Sequence, residues 1–234
     1  MHRSYVPHIF TLGNLFCGFL ALHYVFQHSF VPAAWLIVLG AVLDKMDGLI
    51  ARRIGTGSPF GVELDSIVDV CTFGVAPAVM IYQRHLSSPW GLGLAFVYLV
   101  CGALRLARFN VISLYAKKGD YYMGLPIPMA AIALTQFIVY TDSRWQPAQE
   151  TMLAASVVIL LAALMVSPFD YDSLPDMRAS GRCERAKQSF LVLGILMVLY
   201  DAERFLFPLI VAYIISGIYR WIAGLLHDEV TQHA

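Results

Sequence analysis

The stretch 44-DKMDGLIARRIGTGSPFGVELDSIVD-69 places four aspartates across the junction of two long apolar runs. Asp44 and Asp47 are three residues apart, and Asp65 and Asp69 are four apart. Either spacing puts both carboxylates on one face of a helix. Between the pairs, Gly55-Thr-Gly-Ser-Pro59 is a turn signal, so the stretch reads as two antiparallel helices joined at a tip. With the tip at Gly57, Asp47 lies ten residues before it and Asp65 eight after; Asp44 lies thirteen before and Asp69 twelve after. At a rise of about 1.5 Å per residue, the members of each pair match in depth to within a turn. Four carboxylates are therefore expected to converge.

The surroundings set their solvent. Hydrophobic residues make up 59% of the 234, charged residues only 14%, well outside the range of water-soluble domains. Apolar runs long enough for a bilayer core of about 30 Å fall near 9–27, 32–53, 61–83, 90–112, 123–142, 149–166, 186–203 and 205–226. The expected architecture is an all-α, polytopic helical bundle of about eight spans in a single domain, residues 1–234. The seventh run is short and crowded by Asp201, Glu203 and Arg204. Gly124-Leu-Pro-Ile-Pro128 is expected to shape the entry to the fifth. The first run lacks a small-residue cleavage site and reads as retained.

Cations fix the orientation. Arg3, Arg52, Arg53, Arg105, Arg108, Lys117, Lys118, Arg178, Arg182, Arg185, Lys187 and Arg220 fall on one side of the eight-span arrangement; Arg84, Arg144 and Arg204 fall on the other. By the positive-inside rule, both termini and the aspartate hairpin tip are cytoplasmic, in an inner membrane. Net charge is zero, so no global field draws the chain to nucleic acid. Cys17, Cys71, Cys101 and Cys183 form no C-x-x-C pair and have no histidine cluster beside them, which excludes a zinc site and a disulfide framework.

An ionised aspartate at the centre of a membrane helix costs about 2.5–3.5 kcal/mol even on the lenient insertion scale. Four of them also repel one another, and Lys45 points to a different helix face from Asp44. Divalent cations resolve the conflict, and an all-carboxylate set suits hard Mg²⁺, Mn²⁺ or Ca²⁺. Two such ions bridged by shared carboxylates form a clamp suited to phosphoryl displacement. Helix-end aspartates solvated by headgroup water, or a proton or cation pathway through a transporter, are the competing readings. Transport gives no reason for the accompanying arginine and glycine.

The same stretch resembles the signature of the CDP-alcohol phosphatidyltransferase family, D-x2-D-G-x2-A-R-x8-G-x3-D-x3-D, at every fixed position: Asp44, Asp47, Gly48, Ala51, Arg52, Gly61, Asp65 and Asp69. The resemblance implies that Asp44 and Asp65 bridge two metals, that Asp47 completes the first site and that Asp69 helps hold the second. It also implies that Asp69 is the base that deprotonates the attacking alcohol, and that Gly48, Ala51, Arg52 and Ser58 form the donor-binding side. A glycine lets a nucleotide approach the helix backbone, and an arginine offers a fixed fork to phosphate oxygens. Ten residues from Phe10, FTLGNLFCGF, together with Arg105-Leu-Ala-Arg-Phe-Asn110, Gly124–Ala130 and Asp65–Pro77, resemble the phosphatidylserine synthases within that family. One departure is His8, where that resemblance leads to an asparagine. The implied reaction passes a phosphatidyl group from CDP-diacylglycerol to L-serine, releasing CMP, with glycerol 3-phosphate or inositol phosphate as alternative acceptors. Arg105, Arg108 and Asn110 are then the expected contacts for the serine carboxylate or a phosphate. Similar enzymes pair, so a homodimer is expected.

Overall fold

The computed structural model describes residues 6–54, 59–115, 122–141, 147–171, 193–194, 196–198 and 200–232. Eight helices account for almost all of them. These are α1 (Val6–Phe26), α2 (Phe30–Ile54), α3 (Pro59–Asp69), α4 (Ala76–His85), α5 (Pro89–Tyr115), α6 (Ile127–Thr141), α7 (Pro147–Val166) and α8 (Ala202–Gln232). A π-helical segment, Val70–Val75, joins α3 to α4 without a break, so the third apolar run is one helix from Pro59 to His85 in three pieces. The Ala76 amide donates to the Cys71 carbonyl, five residues back, which is the wide π pitch.

Among the described residues, four stretches are both long and apolar enough to cross a membrane: His8–Phe26, Pro59–His85, Pro89–Ile112 and Ala202–Ile222. α2 is long enough at 25 residues, but its second half holds Asp44, Lys45 and Asp47. The apolar parts of α6 and α7, Ile127–Thr141 and Glu150–Val166, are shorter. Fifteen helical residues span only about 22 Å. α6 is accordingly the most enclosed helix, with Ala130, Ala131, Leu134, Phe137 and Ile138 all in the core. The run expected at 186–203 lies for the most part outside the described residues.

Small residues let these helices close on one another. Ala21, Ala33, Ala34, Ala76, Ala130, Ala131 and Ala154 are buried at the contacts, as expected where lipid offers no hydrophobic drive and packing must supply the attraction. Large apolar side chains such as Phe16, Phe19, Leu39, Phe96, Ile159 and Ile215 point outward, an arrangement suited to lipid and not to water.

The fifth run departs from its expected start at 123. Tyr122–Met123 instead forms a short strand, β1, paired antiparallel with Asp170–Tyr171, β2, and the helix begins four residues later. Gly124 has φ 82°, and a Cβ there would run into the Met165 carbonyl, so only glycine fits. The Gly124 and Leu125 amides donate to Phe169 and Leu164, tying this entry turn to the end of α7. Pro126 then leads into the helix, and Pro128 sits in its first turn, where a missing amide costs nothing. The GLPIP stretch does shape the entry, as a turn between the strand and the first residues of α6.

α1 packs along α2 and also against α3, the π segment and α4. It thus touches both arms of the aspartate hairpin, and its polar residues meet the acidic ones.

Candidate metal centre

Asp44 and Asp47 stand on the last turns of α2, Asp65 and Asp69 on α3, as the i,i+3 and i,i+4 spacings require. The structure brings Asp44, Asp65 and Asp69 together: one carboxylate oxygen from each lies within 4.8 Å of the others. Asp69 is buried, and Asp44 and Asp65 are half-buried. Lys45 is exposed beside them. Three carboxylates at this separation, all oxygen donors in an apolar bundle, could hold a hard divalent cation.

Asp47 lies outside that trio of oxygens, buried, its carboxylate accepting a hydrogen bond from the Thr11 hydroxyl of α1. Asp69 also has an α1 partner. The Asn14 side-chain amide donates to its Oδ1 at 3.3 Å. Asn14 is fully buried, and its own Oδ1 has no hydrogen-bond partner among the described residues. That oxygen faces Gly40, where a Cβ would come within 2.8 Å. One turn further along α1, Gly18 makes room for Thr72 of the π segment, whose hydroxyl donates to the Asn14 carbonyl at 3.1 Å. The acidic hairpin is therefore held by hydrogen bonds from a third helix.

Thr11 and Asn14 were not singled out by sequence reasoning. The available signal was their i,i+3 spacing, followed by Gly18, in a helix otherwise almost wholly apolar. Side-chain hydrogen-bonding groups on one stripe of a membrane helix have to face a polar partner.

The remaining expected site residues divide. Gly48 is half-buried, and a Cβ placed on it would meet nothing within 4 Å, so the α2 backbone is open to approach there. Ala51 and Arg52 belong to the final turn of α2, but their side chains lie outside the described residues, as does all of Ser58. Arg105 comes to the cluster: buried on α5, it lies within electrostatic reach of both Asp44 and Asp69. Its guanidinium also covers the Phe109 ring at 5.5 Å. Arg108 is exposed. Asn110 donates to the Ser66 hydroxyl at 2.8 Å, beside Asp65. His8 packs edge-on against Phe60, centroids 6.0 Å apart, near the hairpin tip. Cys17, Cys71 and Cys101 are free thiols.

A profile of the CDP-alcohol phosphatidyltransferase family matches residues 4–169. The chain is 33% identical over 226 residues to a CDP-diacylglycerol–serine O-phosphatidyltransferase of Helicobacter pylori, covering 92% of this chain and 90% of the relative. It is 34% identical over 214 residues to a protein of the same name from Methanocaldococcus jannaschii, covering 92% of each. With an archaetidylserine synthase of Methanothermobacter thermautotrophicus it shares 32% over 178 residues, 75% of this chain and 72% of the relative.

Proposed function

The chain belongs to the CDP-alcohol phosphatidyltransferase family, and from that premise we propose that it transfers a phosphatidyl group from CDP-diacylglycerol to the hydroxyl of L-serine. The products are phosphatidylserine and CMP. The observation that carries this reading is the convergence of Asp44, Asp65 and Asp69 at signature positions, with oxygens within 4.8 Å. Serine as acceptor is supported by the names of the relatives, which agree on serine while differing in the lipid group joined to it.

In this reading Asp44, Asp65 and Asp69, with Asp47 beside them, would hold two divalent cations, Mg²⁺ or Mn²⁺. When bound, the cations neutralise the pyrophosphate and the charge that develops on departing CMP. The serine oxygen attacks the phosphorus bearing the diacylglycerol, the phosphoanhydride bond to CMP breaks, and the serine proton passes to Asp69. Asn14 keeps Asp69 turned toward the cluster, and Thr11 fixes the Asp47 carboxylate against α1 beside it. Gly48, Ala51, Arg52 and Ser58 form the nucleotide side. Arg105, with Arg108 and Asn110 at the same helix end, receives the acceptor's carboxylate or a phosphate.

The acyl tails stay in lipid while the headgroup chemistry proceeds at the edge of the bilayer, which is why the acid cluster lies near a helix tip. The positive-inside count supports a cytoplasmic tip, cytoplasmic termini and about eight spans in one domain of an inner-membrane protein. A homodimer follows from the family resemblance.

The test is an acceptor screen. Purified protein in detergent is incubated with CDP-diacylglycerol and Mn²⁺ or Mg²⁺, and with serine, glycerol 3-phosphate or inositol phosphate in turn. Serine-dependent CMP release with phosphatidylserine as lipid product is expected. A phosphorylated polyol working in serine's place would overturn the acceptor, and silence with every acceptor would overturn the chemistry.

A further inference from the structure

A second group of polar side chains runs from the acid cluster toward the C-terminal helix, and the reaction as described leaves most of it unused. Arg105, only 7% exposed, faces Asp44 and Asp69 and also lies within electrostatic reach of Tyr213 on α8. Tyr213 packs against Tyr171 with ring centroids 5.7 Å apart. Tyr171 ends β2, where pairing with Tyr122 fixes its backbone, and its ring lies on Gly217, which has no side chain to block it. It is 1% exposed, and its hydroxyl has no hydrogen-bond partner among the described residues. Buried hydroxyls are almost always paired, and an exception calls for an explanation, a group not shown being one. Burial pushes the Tyr171 phenol up to about 12, so at neutral pH it remains a donor.

We propose that Tyr213 and Tyr171 complete, around Arg105, the pocket that receives the acceptor's carboxylate. This rests on serine being the acceptor, and it assigns part of serine selection to residues beyond the family-wide segment, which ends at 169. The placement suits the chemistry. Metal ligands and nucleotide contacts serve every acceptor the family uses, so they belong to the shared segment. A carboxylate is what serine has and a simple polyol lacks, and an arginine fork with one phenolic donor in reach and a second packed on the first matches a planar anion. β2 packs on α8, and its pairing with β1 sets Tyr171 against that helix. That short ladder thereby acquires a purpose: it holds one wall of the pocket.

Full-length Tyr171→Phe and Tyr213→Phe enzymes test this in detergent. Phenylalanine keeps the ring packing and removes only the hydroxyl, and deleting an unpaired buried hydroxyl does not weaken folding. Tyr171→Phe is therefore expected to melt at or above the wild-type temperature. For each variant the KM for L-serine is expected to rise by about ten-fold, the loss of one hydrogen bond to a charged group, with the effect on KM and not on kcat. L-serine methyl ester, which lacks the anion, is expected to be used equally by variant and wild type. Unchanged serine KM in both variants would overturn the proposal, and so would a rise confined to the KM for CDP-diacylglycerol, which would assign the tyrosines to the donor. A wild-type enzyme that made no phosphatidylserine would remove the reaction itself and this inference with it. That outcome is distinct from a working wild type with indifferent variants.

Discussion

Gly48→Ala separates a structural glycine from a functional one. A methyl added at Gly48 meets no protein atom within 4 Å, so nothing in the bundle has to move. Within α2, alanine is preferred over glycine by about 1 kcal/mol, because the unfolded chain loses less backbone freedom. The variant should therefore fold at least as well as wild type. The functional expectation has the opposite sign. If the nucleotide lies against this backbone, the methyl fills its seat and pushes the pyrophosphate away from the metal-holding carboxylates by about 1 Å. A displacement of that size costs about 100-fold in rate. The assay pairs a thermal melt with donor-dependent CMP release at saturating serine. A melting temperature at or above wild type with kcat/KM for CDP-diacylglycerol down about 10- to 100-fold is expected. A stable variant with unchanged donor kinetics would refute the assignment, since it would show that nothing docks on that face.

Four further outcomes follow from the geometry. Asp69→Asn should lose turnover while still giving a donor-dependent shift in melting temperature, and an active variant would remove Asp69 as the base. Chelation with EDTA should stop CMP release and readdition of Mn²⁺ or Mg²⁺ should restore it; activity that persists after exhaustive chelation would rule out a divalent requirement. Gly18→Ala places a methyl 2.9 Å from the Thr72 backbone and should destabilise by about 1–3 kcal/mol, whereas Gly93→Ala, with nothing within 4 Å, should be neutral or better; equal melting temperatures would mean that α1 does not press on the π segment. Tyr98→Phe removes a hydroxyl that donates to the Phe73 carbonyl at 3.1 Å inside the π segment and should cost about 1 kcal/mol, read as a lower melting temperature; an unchanged melt would mean the bond contributes nothing.

The acidic hairpin was legible because its information is local. Helix period and the matched depths of Asp44 with Asp69 are properties of 26 consecutive residues; the Gly-Thr-Gly-Ser of the expected turn lies outside the described residues, and Asp47, expected to converge with the rest, stands apart from the trio. Apolar run lengths likewise gave most helices to within a few positions. What a local reading misses is who packs beside whom. That α1 touches both hairpin arms, so that Thr11 and Asn14 serve the carboxylates, follows from a contact between residues 55 apart. The run Val70-Cys-Thr-Phe-Gly-Val75 has nothing in its composition to distinguish a π turn from an α turn. Its widening goes with Thr72 seated on Gly18 and with Tyr98 satisfying the Phe73 carbonyl. At 123–126 apolar character pointed to helix, and Gly124 with two prolines nearby made a strand and turn instead. Tyr171 and Tyr213 read as ordinary aromatics until the fold set Tyr213 within reach of Arg105 and Tyr171 against Tyr213.

The π segment directly after Asp69 has a consequence for how such a bundle can change over time. A π turn holds one residue more than the same length of α-helix needs, and each residue of an α-helix turns the chain by about 100°. The helix from Pro59 to His85 thus has two faces clocked independently, the reactive end on one bearing and the packed end on another. Losing a single residue from 70–75 would force the two bearings to agree. Either the carboxylates would swing away from Asp44, or the half that buries Met80 and Ile81 would turn its apolar side out of the core. The supernumerary residue works as a swivel, through which the reacting headgroup end of an ancestral helix could be re-aimed while its anchor stayed still.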